Sequence, residues 1–487
     1  MSAAGFIANQ CRASSSAQIS FGVALAFFYY SFLITAGSFD LFHTAPREIV
    51  SGVVFNNMLS HLLQGDFAID PDAIRQEAFV KDGKTYTYFG VGLALLRLPL
   101  LPFKNFATID ITPLSVVVAT CIAAYFKCAS LLLIKRLGNE SPMQTALYGL
   151  LVISVLIGGP QIQFLKAVIY QEVLCWAMAL SSAFIYVALR GLFLPSRFST
   201  RVLVALACLA GLALLTRVTA GIGLYVALGL LLLSLGTRAY WPARSVPGPA
   251  IRHDGDGRSS ILQWLLSRQV ILPGLILVFF AALVATVNYG RWGNPLVFMD
   301  MHFNPIMMET GRIAVIDQYG EFNIRRLPLA VIYFFFPINL FLQGPFGGLP
   351  FDDFPRAYFD SIEPPLSSFL VTDPATLLLA MTFVVALVQN RVPAGLDRRH
   401  VTGLLIGFSA PIFFILTYFF LAFRFRGEFY LPLEFAAILG FYALSRPLDG
   451  TSRYTTWRFE KILRYSVIIG IAASHVMLVY YKATEWA

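Results

Sequence analysis

Acidic residues that could act as general bases are concentrated in two segments between long apolar runs. Asp40, Glu48 and Glu77 lie in the first segment, and further acids lie within residues 290–373. A carboxylate beside low-dielectric surroundings holds a raised pKa and can accept a proton from an attacking hydroxyl group. Asp40 is the first choice for a catalytic base because it follows the first apolar run directly. A solvated cap at the end of that run is the alternative interpretation of Asp40.

Basic residues in and beside these segments form a second group, which could bind a substrate. Guanidinium and ammonium groups offer several N–H donors and a persistent charge, which suits the phosphate or pyrophosphate of a lipid. For any single arginine, the alternative is a side chain that reaches lipid head groups. The predicted donor-phosphate ligands are Lys84, Arg217, Arg291, Arg424 and Arg426.

Four other polar residues are predicted to contact the substrate: His43, Tyr86, Tyr88 and Glu428. His43 is close to Asp40 in the chain, so it could orient that carboxylate or take part in proton transfer. A hydrogen-bonded surface histidine is the alternative interpretation.

The composition identifies the environment in which these residues act. The chain has 487 residues, of which 57% are hydrophobic and 13% charged, and its mean hydropathy is +0.70. An ordinary soluble domain carries about 25% charged residues, so this composition excludes most soluble folds. The net charge of +9 is dispersed in short loops, which argues against a nucleic-acid partner and for membrane topology.

Apolar runs of bilayer length predict an all-α polytopic membrane protein with about eleven transmembrane helices. Arginine and lysine collect in alternate loops, and the positive-inside rule makes these loops and the N-terminus cytoplasmic. The acid-rich loops then lie outside, so we expect an active site on the periplasmic face of the cytoplasmic (inner) membrane. The runs begin near Ile19, Thr112, Ser141, Ala167, Arg201, Val218, Val270, Ala375, Val401, Tyr430 and Leu463.

The chain divides at a linker rich in proline, glycine and charge. Residues 1–236 form an N-terminal half with a first outer loop over 38–111, residues 237–269 a cytoplasmic linker, and residues 270–487 a C-terminal half with an outer loop over 290–373. Within these loops, Arg47–Gln64 predicts an amphipathic helix at the membrane surface, and Tyr88–Phe103 a second segment that folds back onto the bilayer. Leu327–Leu342 predicts a re-entrant or interfacial helix.

The sequence lacks the motifs of several classes of enzyme. The sequence contains no phosphate-binding Gly-x-x-x-x-Gly-Lys-Ser/Thr loop and no His-Glu-x-x-His pair. We therefore predict no cofactor. A divalent metal held by the outer acids is conceivable chemically, but Asp40, Glu48 and Glu77 have no diagnostic metal spacing.

Four short motifs resemble the GT-C glycosyltransferases, within the branch that holds the protein O-mannosyltransferases and the lipid A aminoarabinose transferase. The first outer loop contains Asp82-Gly83-Lys84-Thr85-Tyr86-Thr87-Tyr88-Phe89-Gly90, and Leu215-Thr216-Arg217 is similar to a Leu-Thr-Lys/Arg turn of that branch. Asn288-Tyr289-Gly290-Arg291-Trp292-Gly293-Asn294-Pro295 resembles a post-span segment, and Arg424-Phe425-Arg426-Gly427-Glu428-Phe429 resembles an Arg-Tyr-x-x-Asp-Phe element.

The resemblance implies an inverting enzyme that takes a sugar from a polyprenyl-phosphate carrier in the bilayer. The acceptor would be a cell-envelope glycolipid such as lipopolysaccharide, a polysaccharide or a protein. An outer-loop aspartate would act as base while basic residues hold the carrier phosphate. This sequence departs from the pattern at Ser51, which occupies the usual aspartate position, so the base would be Asp40, Glu48 or Glu77.

Two other functions remain open at this stage. A transporter or flippase for a lipid-linked glycan would use the same outer cations to bind phosphate, and would depend on the charges within or near apolar runs, Lys127, Lys166 and Glu172. A non-catalytic scaffold for envelope assembly would need no cavity between Asp40 and the outer arginines.

Overall fold

The protein is described here by a computed structural model that covers residues 3–42, 52–138, 142–194, 198–240, 264–337, 358–363, 367–393, 395–445 and 453–484. This part of the chain is predominantly helical, with two small two-stranded sheets. The prediction of an all-α polytopic fold is confirmed.

Nineteen α-helices are numbered here in chain order through the described residues. The N-terminal half contains α1 (Ala3–Ile34), α2 (Val54–Leu63), α3 (Pro71–Ile74), α4 (Gly92–Leu95), α5 (Thr112–Leu137), α6 (Pro142–Ile157), α7 (Gly159–Gln163), α8 (Ile169–Phe193), α9 (Thr200–Thr216) and α10 (Val218–Tyr240). The C-terminal half contains α11 (Arg268–Trp292), α12 (Pro305–Glu309), α13 (Ile313–Tyr319), α14 (Leu327–Phe335), α15 (Phe369–Thr372), α16 (Pro374–Val388), α17 (Arg398–Thr417), α18 (Arg426–Ser445) and α19 (Arg453–Thr484).

Each of the eleven predicted spans coincides with a helix. Eight helical segments of the described chain are long and apolar enough to cross a membrane, with α6 and α7 counted together. The other three predicted spans are α9 and α16, with 17 and 15 residues, and α18, whose 20 residues include three charged side chains. Hydropathy therefore located the helices correctly.

The spans pack through small residues and branched apolar side chains. One large buried cluster joins α5, α8, α9, α10, α16, α17 and α18. A Cβ at Gly407 of α17 would collide with Ala227 of α10, so glycine allows these two backbones to approach closely. Close approach through small residues is the usual means of helix association where lipid supplies no hydrophobic driving force.

The first outer loop forms a compact layer on the outer ends of the spans. Strands β1 (Phe79–Lys81) and β2 (Lys84–Tyr86) pair as an antiparallel hairpin, with Asp82 and Gly83 at positive φ in the turn. The apolar face of α2 packs on Ile169 of α8 and Leu215 of α9. The predicted helix over Arg47–Gln64 is present as 54–63, and its apolar side faces the span ends. Its position at the membrane surface stays a prediction.

The second outer loop is held by a buried arginine and a short sheet. Arg326 donates hydrogen bonds to the carbonyl groups of Tyr358 and Gly320 at 2.7 and 2.9 Å. Strand β3 (Ser361–Ile362) pairs in parallel with β4 (Phe420–Leu421), which directly precedes α18. These contacts place residues 358–363 beside the outer end of α18.

Two expectations are met by the structure only in part. The described portion of Leu327–Leu342 is α14, whose 9 residues are too few to span a bilayer. Residues 338–342 lie outside the described part, as does most of the predicted linker, residues 241–263. The re-entrant helix and the linker therefore stay predictions.

An apolar surface on the first outer loop predicts contact with lipid. Leu95, Leu96, Leu98, Leu101 and Phe103 are each more than a third exposed, and α5 begins a few residues later. Spin labels at Leu96→Cys and Phe103→Cys, in a background without the five native cysteines, should collide more often with oxygen than with a water-soluble nickel complex. Electron paramagnetic resonance in vesicles measures both collision rates.

Val80→Cys provides a matched control because Val80 is also exposed but lies in the charged β1–β2 hairpin. Its label should favour the nickel complex. Equal behaviour of all three labels would contradict lipid contact by this surface.

Candidate functional site at the outer ends of the spans

A buried ion pair fixes the first outer loop to the end of α8. Arg97 donates to Glu172 at 2.6 Å, and these side chains are 1% and 0% exposed. Arg97 also donates to the side-chain carbonyl of Asn56 in α2 at 3.2 Å, and Asn56 donates to the Phe106 carbonyl at 2.6 Å. Removal of one member of a buried pair leaves an uncompensated charge, so this network fixes the loop in place.

Arg291 ties the same loop to α11. It is 3% exposed, donates to the Phe89 carbonyl at 2.9 Å and contacts Met58. The side chain is enclosed by protein and directed at the loop backbone, as in a structural residue. The predicted role of Arg291 in binding the donor phosphate stays a prediction.

The loop segment after β2 then runs against the α9–α10 turn. A Cβ at Gly90 would collide with the Leu215 carbonyl, and a Cβ at Gly92 would lie 2.7 Å from the Thr216 hydroxyl. Only glycine allows this approach. It brings Tyr88, two residues earlier, to the neighbourhood of Arg217.

Five side chains meet at this place, and we call them the outer cluster: Glu77, Tyr88, Tyr170, Arg217 and Arg424. The Tyr170 hydroxyl hydrogen-bonds with Glu77 and with Tyr88. The Arg424 guanidinium lies over the Tyr170 ring, 4.3 Å from its centroid. Tyr88 lies within electrostatic range of both arginines and of Glu77. The cluster thus joins the first outer loop, α8, the α9–α10 turn and the segment before α18.

Each arginine of the outer cluster is oriented by a carboxylate. Arg424 donates to Glu363 at 2.6 Å. Arg217 donates through Nε to Glu428, which also accepts a hydrogen bond from Thr219 at 2.7 Å. Because a guanidinium has five N–H donors, both arginines keep donors for a ligand. Arg217 is 16% and Arg424 19% exposed, so both remain accessible.

The surroundings of Tyr88 keep its hydroxyl group protonated, so this group can donate hydrogen bonds. Burial raises its pKa, and the negative charge of Glu77 adds to this, while Arg424 and Arg217 oppose it. The phenol is therefore protonated at neutral pH and donates hydrogen bonds.

Three further predicted ligands lie elsewhere in the structure. Lys84 is 57% exposed and pairs with Asp66 at 3.4 Å in the first loop. Tyr86 is 8% exposed and packs against Trp292 with ring centroids 5.8 Å apart. Tyr86 therefore packs within the loop, and its predicted substrate contact stays a prediction. Glu428 contacts Arg217, so it acts through that side chain.

Arg426 likewise has the contacts of a structural residue, and its predicted phosphate contact stays a prediction. It is fully buried, donates to Thr372 and Asp373 at 2.8 and 2.9 Å, and lies 4.3 Å from the centroid of the Phe369 ring. These contacts join α18 to α15 and α16. Both terminal nitrogens of this buried guanidinium donate hydrogen bonds to protein groups.

The predicted bases have different surroundings. Asp40 is exposed beyond α1, where its carboxylate accepts a hydrogen bond from the Phe42 N–H. His43, Glu48 and Ser51 lie outside the described residues. Glu77 is half-buried in the outer cluster and makes no ion pair with any residue that the structure describes.

Tyr170 and Glu363 belong to the site although sequence patterns did not select them. Tyr170 begins an apolar run, where a tyrosine resembles any other interfacial aromatic. Glu363 is one of many acids in the second outer loop, and only the β3–β4 pairing shows that it approaches Arg424. In the described part of the chain, no group of three or more His, Cys, Asp or Glu side chains is arranged to hold a metal ion.

No protein-family model matches the chain, and no curated protein matches it in sequence. Solved structures of the oligosaccharyltransferase of Archaeoglobus fulgidus are similar. The enzyme with an inhibitory peptide and a dolichol-phosphate has 13% identity over 95% of this chain, with a TM-score of 0.43. The apo form has 11% identity over 94%, with a TM-score of 0.45. This chain spans 56% of the length of each.

The contrast between Arg426 and Arg424 gives a testable prediction. Arg426→Met should lower the stability of the protein by about 3–5 kcal/mol, since it leaves Asp373 buried without its partner. Arg424→Met should cost much less stability, because Arg424 and Glu363 are partly exposed. Thermal unfolding in detergent micelles measures both. An Arg426→Met protein of unchanged stability that fails to bind a lipid phosphate would restore Arg426 as a ligand.

Proposed function

We propose that this protein is a membrane glycosyltransferase that moves a sugar from a polyprenyl-phosphate carrier to a cell-envelope acceptor on the outer face of the membrane. The observation that carries this proposal is the outer cluster. It combines Glu77, a half-buried carboxylate that forms no ion pair within the described part of the chain, with two accessible arginines, Arg217 and Arg424.

The two arginines would bind the carrier phosphate. In the reaction, an acceptor atom attacks the anomeric carbon from the face opposite the phosphate, and the bond between that carbon and the phosphate oxygen breaks. The polyprenyl phosphate leaves with the electron pair, and the product has the inverted configuration. Guanidinium groups beside the leaving oxygen stabilise the charge that develops there.

Glu77 is the base that this geometry favours over Asp40. Glu363 and Glu428 each bind an arginine of the cluster, so proton uptake by either would weaken a phosphate ligand. Glu77 instead hydrogen-bonds with Tyr170, which holds the carboxylate next to the cations. It would accept the proton that the acceptor loses during attack. Tyr88, which stays protonated, would donate a hydrogen bond to the sugar or phosphate.

The intramembrane charges do not favour the transporter alternative. Glu172 pairs with Arg97, and Lys127 pairs with Glu434 at 2.5 Å. Two of the three residues on which a transporter would depend are thus engaged with other protein side chains.

An experiment with a panel of acceptors is needed to identify the class of acceptor. The similar archaeal structures contain a dolichol-phosphate or an acceptor peptide with an NVT sequon. A peptide therefore belongs in the acceptor panel, together with envelope lipids and polysaccharide.

Substitution of the acids provides the decisive prediction. Glu77→Gln should lower the rate of sugar transfer by about 10²–10⁴-fold, because it removes the proton acceptor but keeps the side-chain shape. Asp40→Asn, the matched control, should leave the rate within a few-fold of wild type. Purified protein, a panel of radiolabelled polyprenyl-phosphate monosaccharides and the acceptor panel measure transfer, while donor binding is measured separately.

Loss of transfer in Asp40→Asn with full activity in Glu77→Gln would reverse the assignment of the base. A wild-type protein that binds the donor but transfers sugar to no acceptor would contradict the glycosyltransferase itself.

A further inference from the structure

A second polar site lies inside the helix bundle, apart from the outer cluster. Helices α5, α6, α7, α16 and α18 line a partly open cavity with about 80 Å³ of space for water-sized groups. Apolar side chains such as Leu131 and Ile438 form part of its wall. Its polar lining consists of Lys127, Ser154, Gln161, Asp373, Thr376 and Glu434.

The cavity is built around an ion pair in the membrane-spanning region. Lys127 and Glu434 are 2.5 Å apart, with side chains 6% and 14% exposed. Charges within a bilayer are costly unless they are paired and solvated, so such a pair requires further polar contacts. On the cavity side, protein groups alone do not complete the solvation of this pair.

Gln161 provides independent evidence for a polar ligand. It is 2% exposed and lines the cavity, and its amide nitrogen Nε2 has no hydrogen-bond partner among the residues that the structure describes. An amide donor without a partner at this depth costs free energy comparable to a lost hydrogen bond. A ligand that accepts a hydrogen bond removes this cost.

The helix break between α6 and α7 supports the same conclusion. Gly159 has a φ of +48° and interrupts the helix beside the cavity, together with Pro160. Irregular backbone at membrane depth is tolerated where it is enclosed by protein or lines a water-filled cavity.

Charge and size define the ligand. Two cations, Lys127 and Arg426, balance two carboxylates, Glu434 and Asp373, so the site has no net charge to attract an ion. Asp373 accepts its hydrogen bonds at Oδ2, while Oδ1 lies toward Gly159. The site thus offers both donors and acceptors. Its volume of about 80 Å³ exceeds the roughly 10–15 Å³ that one water needs on the same measure, so several waters fit.

We propose that this cavity is an internal water site. Water molecules accept a hydrogen bond from Gln161, solvate the Lys127–Glu434 pair and bridge to Asp373. The waters complete the polar interior of the bundle where α6 breaks, and they keep the ion pair charged within the membrane.

Two substitutions test the proposal, because a hydrated cavity and a dry cavity predict opposite changes in Tm. In a hydrated cavity, Gln161→Leu removes a water partner and Ala437→Leu displaces the waters, so each should lower Tm by on the order of 2 °C or more. In a dry cavity both changes should raise Tm, since one deletes an unsatisfied donor and the other fills a void. Gln389→Leu, on the exposed end of α16, is the control and should leave Tm unchanged. An unchanged or raised Tm for both cavity variants overturns the proposal.

Hydroxyl-radical footprinting by synchrotron X-rays separates hydration from packing effects in the wild-type protein. Radicals formed from bound water should oxidise Leu131 and Ile438, which line the cavity although they are 6% and 7% exposed. Leu404 of α17, which is 0% exposed and does not line the cavity, is the control. Oxidation of the two lining residues no greater than that of Leu404 also overturns the proposal.

Discussion

The buried ion pair between Arg97 and Glu172 is the interaction on which the candidate site depends. It joins the first outer loop to the outer end of α8 with side chains that are 1% and 0% exposed. A loop of this length would otherwise have many conformations, and ordering it costs entropy. The ion pair, with Asn56 and the buried Arg291, holds the loop in one position. Glu77 and Tyr88 belong to that loop, so their positions are consequences of the pair.

In the C-terminal half, a buried ion pair likewise positions the other side of the site. Arg426 is buried against Asp373 and fixes the outer end of α18, while the β3–β4 pairing brings Glu363 to Arg424. Arg424 and Arg426, two residues apart, therefore differ in their surroundings. Arg426 is buried and joins the helices, whereas Arg424 stays partly exposed and is the one proposed to bind a phosphate.

Hydropathy predicted the helical fold well because bilayer length and apolar composition are local properties of the sequence. The site was predicted less completely. The motifs selected Arg217, Arg424, Arg291 and Arg426 alike. Residue type and spacing do not show that Arg291 and Arg426 are buried. Asp40 was favoured over Glu77 because position along the chain was the available guide. The folding of the outer loop, which depends on long-range contacts, instead brings Glu77 to the cations.

The central claim is that Arg217 and Arg424 together hold the phosphate of a lipid-linked sugar beside Glu77. A structure of the protein in lipid nanodiscs with a non-hydrolysable polyprenyl-phosphonate sugar tests it most directly. The account predicts phosphonate oxygens within about 3 Å of both guanidinium groups, with the anomeric carbon on the side of Glu77. A phosphonate bound elsewhere, with neither Arg217 nor Arg424 in contact, would contradict it.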